Sequence, residues 1–233
     1  MTRRLKRRLT SFYPVMLCAT GSEKDLDNPD YVAEPKFDGT LCVAERMRDG
    51  IRMFGKKGLE YTKTMPDIYA SLLKMRAYYR VVGELVYIND KGEMIFSGSQ
   101  KRCQISKSEK VEAYTKAYPL MFYLFEIVML NHQNLEVLPY HKRREVLVHF
   151  VKLQKALYGL ENIRVVPTSE YSREMYEWSK EKGWEGVVLK KKNGLYHKGK
   201  ESDNYLKVKC RDHTIFTLPD NARLHRKIHR SVL

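Results

Sequence analysis

An α+β fold, with antiparallel sheets flanked by helices, is predicted for this chain of 233 residues, and three observations carry the prediction. Strand-like runs outnumber helical ones. Hairpin turns are frequent, at Asp49-Gly50 and at Asn89-Asp90-Lys91-Gly92. The apolar fraction, 43%, is that of a chain with an ordinary core, and the length suits one large domain or two small ones.

In chain order, Tyr31 to Val43 reads as extended structure. Asp49-Gly50 joins two strand-like runs, Leu41–Arg46 and Ile51–Phe54. Ile68, Leu72, Leu73 and Met75 have helical spacing within Asp67 to Tyr79. Val81 to Ile88 is a strand that turns back into Met94–Phe96, and Glu109 to Lys116 is a short helix. Leu120 to Leu130 is almost continuously apolar, too short to span a membrane, and reads as a buried strand. Pro139 precedes a helix from Lys142 to Leu157 whose apolar side carries Val146, Leu147, Phe150, Val151 and Leu153. Ile163–Val166 is a strand. Ser169 is placed to cap a helix from Glu170 to Lys182, which Gly183 ends. Gly186–Lys190 and Tyr205–Lys209 are the last strands. There are no repeats, low-complexity tracts or internal linkers.

The formal net charge of +15 favours a polyanionic partner, because a basic surface steers and holds phosphate backbones. A merely soluble basic protein is the bland alternative. A membrane is disfavoured, since neither a long apolar run nor a basic amphipathic helix stands out. Cys18, Cys42, Cys103 and Cys210 are far apart, with no zinc-ligand spacing, and read as reduced thiols of an intracellular protein. His225 and His229 lie one helical turn apart without an acidic or cysteine partner. Arg3, Arg4, Lys6, Arg7 and Arg8 are not followed by an apolar stretch, so the N-terminus is not a secretory signal. It reads as a phosphate-binding arm or as a solvated tail. Arg223, Arg226, Lys227 and Arg230 form a second basic cluster.

Lys36-Phe37-Asp38-Gly39 is the most informative stretch. A lysine two residues before Asp-Gly, leaving a strand, is how covalent nucleotidyl transfer places its nucleophile. A surface lysine beside a turn explains the four residues equally well. The downstream order argues otherwise: Gly83-Glu84-Leu85-Val86, then Phe125-Glu126, then Glu185-Gly186-Val187-Val188-Leu189-Lys190, then Lys207-Val208-Lys209. Each of these also has a plainer reading. Glu84 fits a solvent-facing position of an alternating strand, Phe125 a core position, Lys-Val-Lys a strand with one charged face, and Arg143 and Arg144 the solvated side of a helix.

Taken in order, from about Tyr13 to Lys209, these stretches resemble the nucleotidyltransferase domain of ATP-dependent DNA ligases. The Phe-Glu-Ile segment at 125–127, Leu138-Pro139 and Lys142-Arg143-Arg144 favour DNA ligases over capping enzymes. The resemblance implies the nucleotidyltransferase (ATP-grasp-like) fold and a lysyl-AMP intermediate on Lys36. It implies that Glu34 reads the adenine amino group, that Phe125 and Val188 cover the two faces of adenine, and that Glu84 holds the ribose or a metal. Lys190, Lys207 and Lys209 would contact phosphates, and Glu84 and Glu185 a divalent ion, Mg²⁺ or Mn²⁺. Nearby cations and that ion would help to free the Lys36 amine. Lys56, in Gly55-Lys56-Lys57-Gly58, falls where the family has arginine and keeps the charge without the bidentate fork. Leu41 stands where many members have another arginine, and Glu126 where aspartate is commoner.

The organisation this implies is a basic arm at 1–12, an adenylyltransferase domain at 13–210 and a basic tail at 211–233, too short for the OB-fold domain that usually follows. The substrate would be nicked duplex DNA, with or without RNA at the nick. The chain would act as a monomer, or with a partner that supplies the clamp. The basic termini, through Arg3, Arg4, Arg7, Arg8, Arg223, Arg226 and Lys227, would grip phosphates. An RNA ligase is the closest rival. A capping guanylyltransferase, an NAD-dependent ligase and a non-catalytic nucleic-acid-binding module fit less well.

Overall fold

The computed structural model describes residues 12–210, together with the backbone of two short segments at 213–215 and 227–229. The basic positions Arg3, Arg4, Arg7, Arg8, Arg223 and Arg226 lie outside the described residues, as does the side chain of Lys227. The elements are β1 (Leu17–Thr20), β2 (Tyr31–Pro35), β3 (Thr40–Met47), β4 (Gly50–Gly55), α1 (Pro66–Lys74), β5 (Tyr79–Tyr87), α2 (Phe96–Cys103), α3 (Val111–Ala117) and β6 (Leu120–Leu130). They continue with β7 (Gln133–Asn134), α4 (Tyr140–Tyr158), β8 (Ile163–Val165), α5 (Ser172–Glu181), β9 (Gly186–Lys191), β10 (Glu201–Lys209), β11 (His213–Ile215) and β12 (Lys227–His229). Among the described residues, no helix is long and apolar enough to cross a membrane.

Two main sheets form, a four-stranded one in the order β1-β10-β9-β2 and a six-stranded one in the order β4-β3-β5-β6-β7 with β8 beside β6. Pairing is antiparallel, as the sequence predicts, except that β1 with β10 and β6 with β8 run parallel. Each parallel pair joins distant segments, and the four residues of β1 carry too little alternation to be seen in the sequence.

Alternation along the strands creates three apolar layers. Cys42, Ala44, Val81, Leu85, Phe122 and Leu124 of the large sheet pack against Ile68 and Leu72 of α1 and Leu147, Phe150 and Val151 of α4. The opposite face, through Val43, Val82 and Val128, meets Val32 and Tyr205 of the small sheet. The outer face of the small sheet, through Ala33, Val187, Leu189, Leu206 and Val208, is covered by Tyr176 of α5. β6 slips twice against β5, which leaves Phe125 and Val128 without a partner across the pair. A bulge re-aims the side chains beyond it. Both residues therefore turn into the space between the sheets, and Ile127 stays in the helix-covered core.

Several expectations are corrected. Lys36 follows β2 in a loop instead of lying within a strand, because the chain must cross from the small sheet to the large one. The helix at Asp67 ends at Lys74, since Tyr79 is needed as the first residue of β5. Met94 makes only an isolated bridge to Ile88, and Phe96 opens α2. Ser169 does not cap α5, whose N-terminal boundary residue is Tyr171. Its backbone instead exchanges hydrogen bonds with Ala33 of β2. Leu153 is exposed, because only the Leu147–Phe150–Val151 stripe of α4 faces the sheet.

Arg143, one of two candidates for a solvated helix face, is wholly buried. Its Nη2 donates to Glu126 Oε2 at 2.9 Å and its Nε to Glu126 Oε1 at 3.1 Å. It also donates to Tyr205 Oη at 3.1 Å and to the Gly194 carbonyl at 3.1 Å. The Tyr205 hydroxyl donates in turn to Glu126. α4, β6 and β10 thus meet at one planar guanidinium, which can satisfy all of them at once.

Removing one member of such a pair strands a buried charge. Arg143→Met is expected to lower stability by about 3–5 kcal/mol, measured by urea denaturation. Glu126→Leu combined with Arg143→Met is expected to cost less than Arg143→Met alone, because no charge is then left behind.

Candidate active site

The inner face of the small sheet carries a polar row. Strand parity puts Glu34 of β2, Val188 and Lys190 of β9 and Tyr205 and Lys207 of β10 on the side that faces the large sheet, where they line one cleft of about 660 Å³. The large sheet and its loops add Lys36, Thr40, Lys56, Glu84 and Phe125, α2 adds Phe96 and Gln100, and Gln104 follows just past the end of α2. Two glycines permit this close approach. A Cβ on Gly39 would lie 2.4 Å from the Leu85 carbonyl oxygen and 2.9 Å from Glu84 Cγ. Gly186 has φ +140°, and a Cβ there would lie 2.1 Å from the Val208 carbonyl oxygen.

Of the residues singled out from the sequence, Glu34, Lys36, Lys56, Glu84, Phe125, Val188, Lys190 and Lys207 all line the cleft. Glu185 and Lys209 do not, but they join it by charge. The Lys36 ammonium pairs with Glu185 Oε2, and Lys209 Nζ lies 3.3 Å from Glu185 Oε1. The Lys36 N–H also donates to the Gly186 carbonyl at 2.8 Å, so the nucleophile candidate is tied to the Glu-Gly motif by backbone and side chain together.

The surroundings of Lys36 correct one expectation. Its direct charged partner is an acid, not a cation, and Glu84 and Asp38 stand close enough to feel its charge. Burial is the main force on Glu84 and pushes its carboxyl up to about 8, with Lys36 pulling the other way and Asp38 and Glu185 adding to the rise. Burial and then Glu185 raise Asp38 as well, against Lys36 and Lys209. Glu84, Asp38 and Glu185 thus stand within electrostatic reach of one another and of Lys36. Carboxyl groups beside a phosphate site are the donors a divalent cation takes. Among the described residues no three of His, Cys, Asp and Glu converge to hold a metal alone. The fit is therefore to an ion that keeps water and phosphate oxygens as its other ligands, as Mg²⁺ does.

At the other end of the cleft, Lys190 and Glu34 are both buried and lie 3.3 Å apart. The Lys190 ammonium sits 3.6 Å from the centre of the Tyr205 ring, 4.8 Å from that of Phe125 and 5.7 Å from that of Tyr140, an arrangement that holds a cation by ring electrostatics. Glu34 also accepts a 2.6 Å hydrogen bond from Tyr140 and faces Arg144 at 3.6 Å. Lys207 reaches the Cys18 carbonyl at 3.4 Å.

The sequence reading missed Tyr140, Arg144, Tyr205, Gln100 and Gln104 as parts of this site. Tyr205 carried a signal, since it precedes Lys207 by two residues on the same strand face. Tyr140, Arg144 and Gln100 come from helices, and Gln104 from just beyond one, whose register toward the cleft no local pattern states.

The family profile described as ATP dependent DNA ligase domain matches residues 16–209. A probable DNA ligase of Dictyoglomus turgidum is 28% identical over 179 residues, which cover 76% of this chain and 30% of that protein. The bifunctional non-homologous end joining protein LigD of Bacillus subtilis is 24% identical over 187 residues, covering 76% of this chain and 31% of that protein. The chain thus spans about a third of the length of the curated relatives it matches. Among solved structures, the ligase domain of M. tuberculosis LigD superposes with a TM-score of 0.66 at 20% identity, over 86% of this chain and 60% of that one. The ATP-dependent DNA ligase of bacteriophage T7, in complex with ATP, gives 0.61 at 15% identity, over 91% and 75%. These likenesses establish the nucleotidyltransferase fold of DNA ligases.

Glu84 makes stability depend on pH. Its carboxyl binds a proton up to about 8 in the folded chain but only to its ordinary 4.5 when unfolded. Between those values the folded state holds a proton that the unfolded state lacks, so stability falls as pH rises through the interval. Glu84→Gln removes this loss. Its melting temperature is expected to exceed that of the wild type at pH 9 and to gain little or nothing at pH 4.

Proposed function

The chain belongs to the ATP-dependent DNA ligase domain family, and on that premise we propose that it seals 5′-phosphate/3′-hydroxyl nicks in duplex DNA through AMP carried on Lys36. The observation that carries the proposal is that Lys36, Glu34, Glu84, Lys56, Lys190 and Lys207 line one cleft between two sheets, with Glu185 paired to Lys36 beside it.

In the first step Lys36 Nζ attacks the α-phosphorus of ATP. The N–P bond forms, the bond to the bridging oxygen of the β-phosphate breaks, and pyrophosphate leaves. The amine must first lose its proton and its hold on Glu185. Phe125 and Val188 supply the apolar surfaces between which adenine stacks. Glu34, already oriented by Tyr140, accepts from the adenine amino group. Lys190, Lys207 and Lys209, with Lys56 at the far rim, donate to phosphate oxygens, where charge grows in the transition state. A divalent cation held by Glu84 and Glu185 would offset phosphate charge. The 5′-phosphate at the nick then takes AMP from Lys36, and the adjacent 3′-hydroxyl displaces it. The net charge of +15 favours the polyanionic substrate at both stages.

The test uses labelled ATP with Mg²⁺ and two nicked duplexes, one of DNA and one with RNA at the nick. Labelled AMP is expected on the wild-type protein and absent from Lys36→Ala, with sealing of the DNA nick lost in the same variant. Sealing of the RNA-containing nick alone would move the assignment to RNA repair. An unlabelled wild-type protein would refute the lysyl-AMP mechanism.

A further inference from the structure

Four aromatic side chains outside the proposed nucleotide and metal contacts form a continuous ladder beside Lys36. Tyr123 of β6 meets Phe37 edge-on at 4.5 Å, Phe37 meets Trp184 edge-on at 5.5 Å, and Trp184 meets Trp178 of α5 at 4.6 Å. Phe37 directly follows Lys36, and Trp184 directly precedes Glu185. The ring contact therefore flanks the Lys36–Glu185 ion pair, one residue away in each of the two segments.

Lys36 lies beyond the end of β2, where its N–H donates to the Gly186 carbonyl at 2.8 Å, and the Glu185 carbonyl accepts from the Cys210 N–H at 3.0 Å. The Trp184 N–H is fastened to the C-terminal turn of α5 through the Ser179 carbonyl at 2.8 Å. Tyr123 belongs to the central strand of the large sheet, and Trp178 to the helix behind the small one. The ladder thus spans the two sheets at the point where the nucleophile crosses between them. Phe37 lines the cleft but Trp184 does not, so of the two only Trp184 is without a direct route to a nucleotide.

We propose that Phe37 and Trp184 form an aromatic clamp that positions Lys36 against Glu185 and the α-phosphate, making Trp184 a positioning residue for adenylyl transfer. The proposal rests on the Lys36 reading above. Edge-to-face ring pairs hold orientation as well as contact, and a displaced nucleophile loses rate before it loses substrate affinity.

The experiment is single-turnover transfer of labelled AMP from ATP to the protein across a range of ATP concentrations, with a melting curve for each variant. Trp184→Ala is expected to lower the limiting rate about ten- to a hundredfold, the scale that a displacement of about 1 Å brings. Half-saturating ATP should stay within about threefold, since binding contacts are untouched. Trp184→Phe, which restores a ring edge, should recover most of the rate. Phe37→Leu combined with Trp184→Ala should lose less than the sum of the two single losses, because the two share the Phe37–Trp184 contact while Phe37 also touches Tyr123 and Trp184 also touches Trp178. Should Trp184→Ala melt below the assay temperature, Trp184→Leu carries the same expectation. A wild-type limiting rate in Trp184→Ala, a loss confined to half-saturating ATP, no rescue by phenylalanine, or additive losses would each overturn the clamp and leave Lys36 as nucleophile. A wild-type protein that takes up no AMP would remove the nucleophile itself and the clamp with it.

Discussion

Arg143 and Glu126 form an ion pair that water does not reach, and the two sheets meet around it. Burying both charges costs several kcal/mol apiece by order of magnitude, so the pair persists only because nearly every donor and acceptor on it is used. That requirement orients three elements. α4 must turn Arg143 inward, β6 must bulge so that Glu126 lies opposite Val82, and β10 must deliver the Tyr205 hydroxyl. The same turn of α4 brings Tyr140 and Arg144 to Glu34, and the same bulge exposes Phe125 to the cleft. The floor of the candidate site is therefore an outcome of how the buried charges are satisfied.

The cleft is also paired within itself. Lys190 is held by Glu34 and by three rings, and Lys36 by Glu185. These are the side chains that would face adenine and phosphate. Each pair offers its cation an anion in the absence of nucleotide, and a triphosphate brings more negative charge than either carboxylate. Binding would therefore proceed by exchange of partners, with little uncompensated charge at any stage. Among the described residues Glu84 forms no ion pair, and burial raises its carboxyl to about 8.

Where a functional side chain sits on a strand, its place was legible in the sequence. Period-two alternation gave Lys207 and Lys209 one face of a strand, and the pairing of Val188 with both Glu34 and Lys207 then sets three strands level in one sheet. Alternation failed where the backbone breaks it. Phe125 read as core because the bulge that frees it leaves no mark in an apolar run. Arg143 fitted a solvated helix face as well as a motif position, because helical periodicity gives a face, not what that face meets. The ladder from Tyr123 through Phe37 to Trp178 was invisible, since its members lie far apart in the chain.

By itself the sequence determined the α+β class, most strands and long helices, the single charged face of the Lys207–Lys209 strand, and the order of motifs that marks the ligase family. Each follows from local periodicity, turn chemistry or fixed spacing, which neighbouring residues impose on one another. Only the tertiary structure decided that Glu185 pairs with Lys36, that α4 supplies a buried cation, that two strand pairs run parallel, and that an aromatic ladder braces the nucleophile loop. Those are contacts between segments distant in the chain. Their partners are chosen by which burial and charge compensation is jointly satisfiable, and no local pattern encodes that choice.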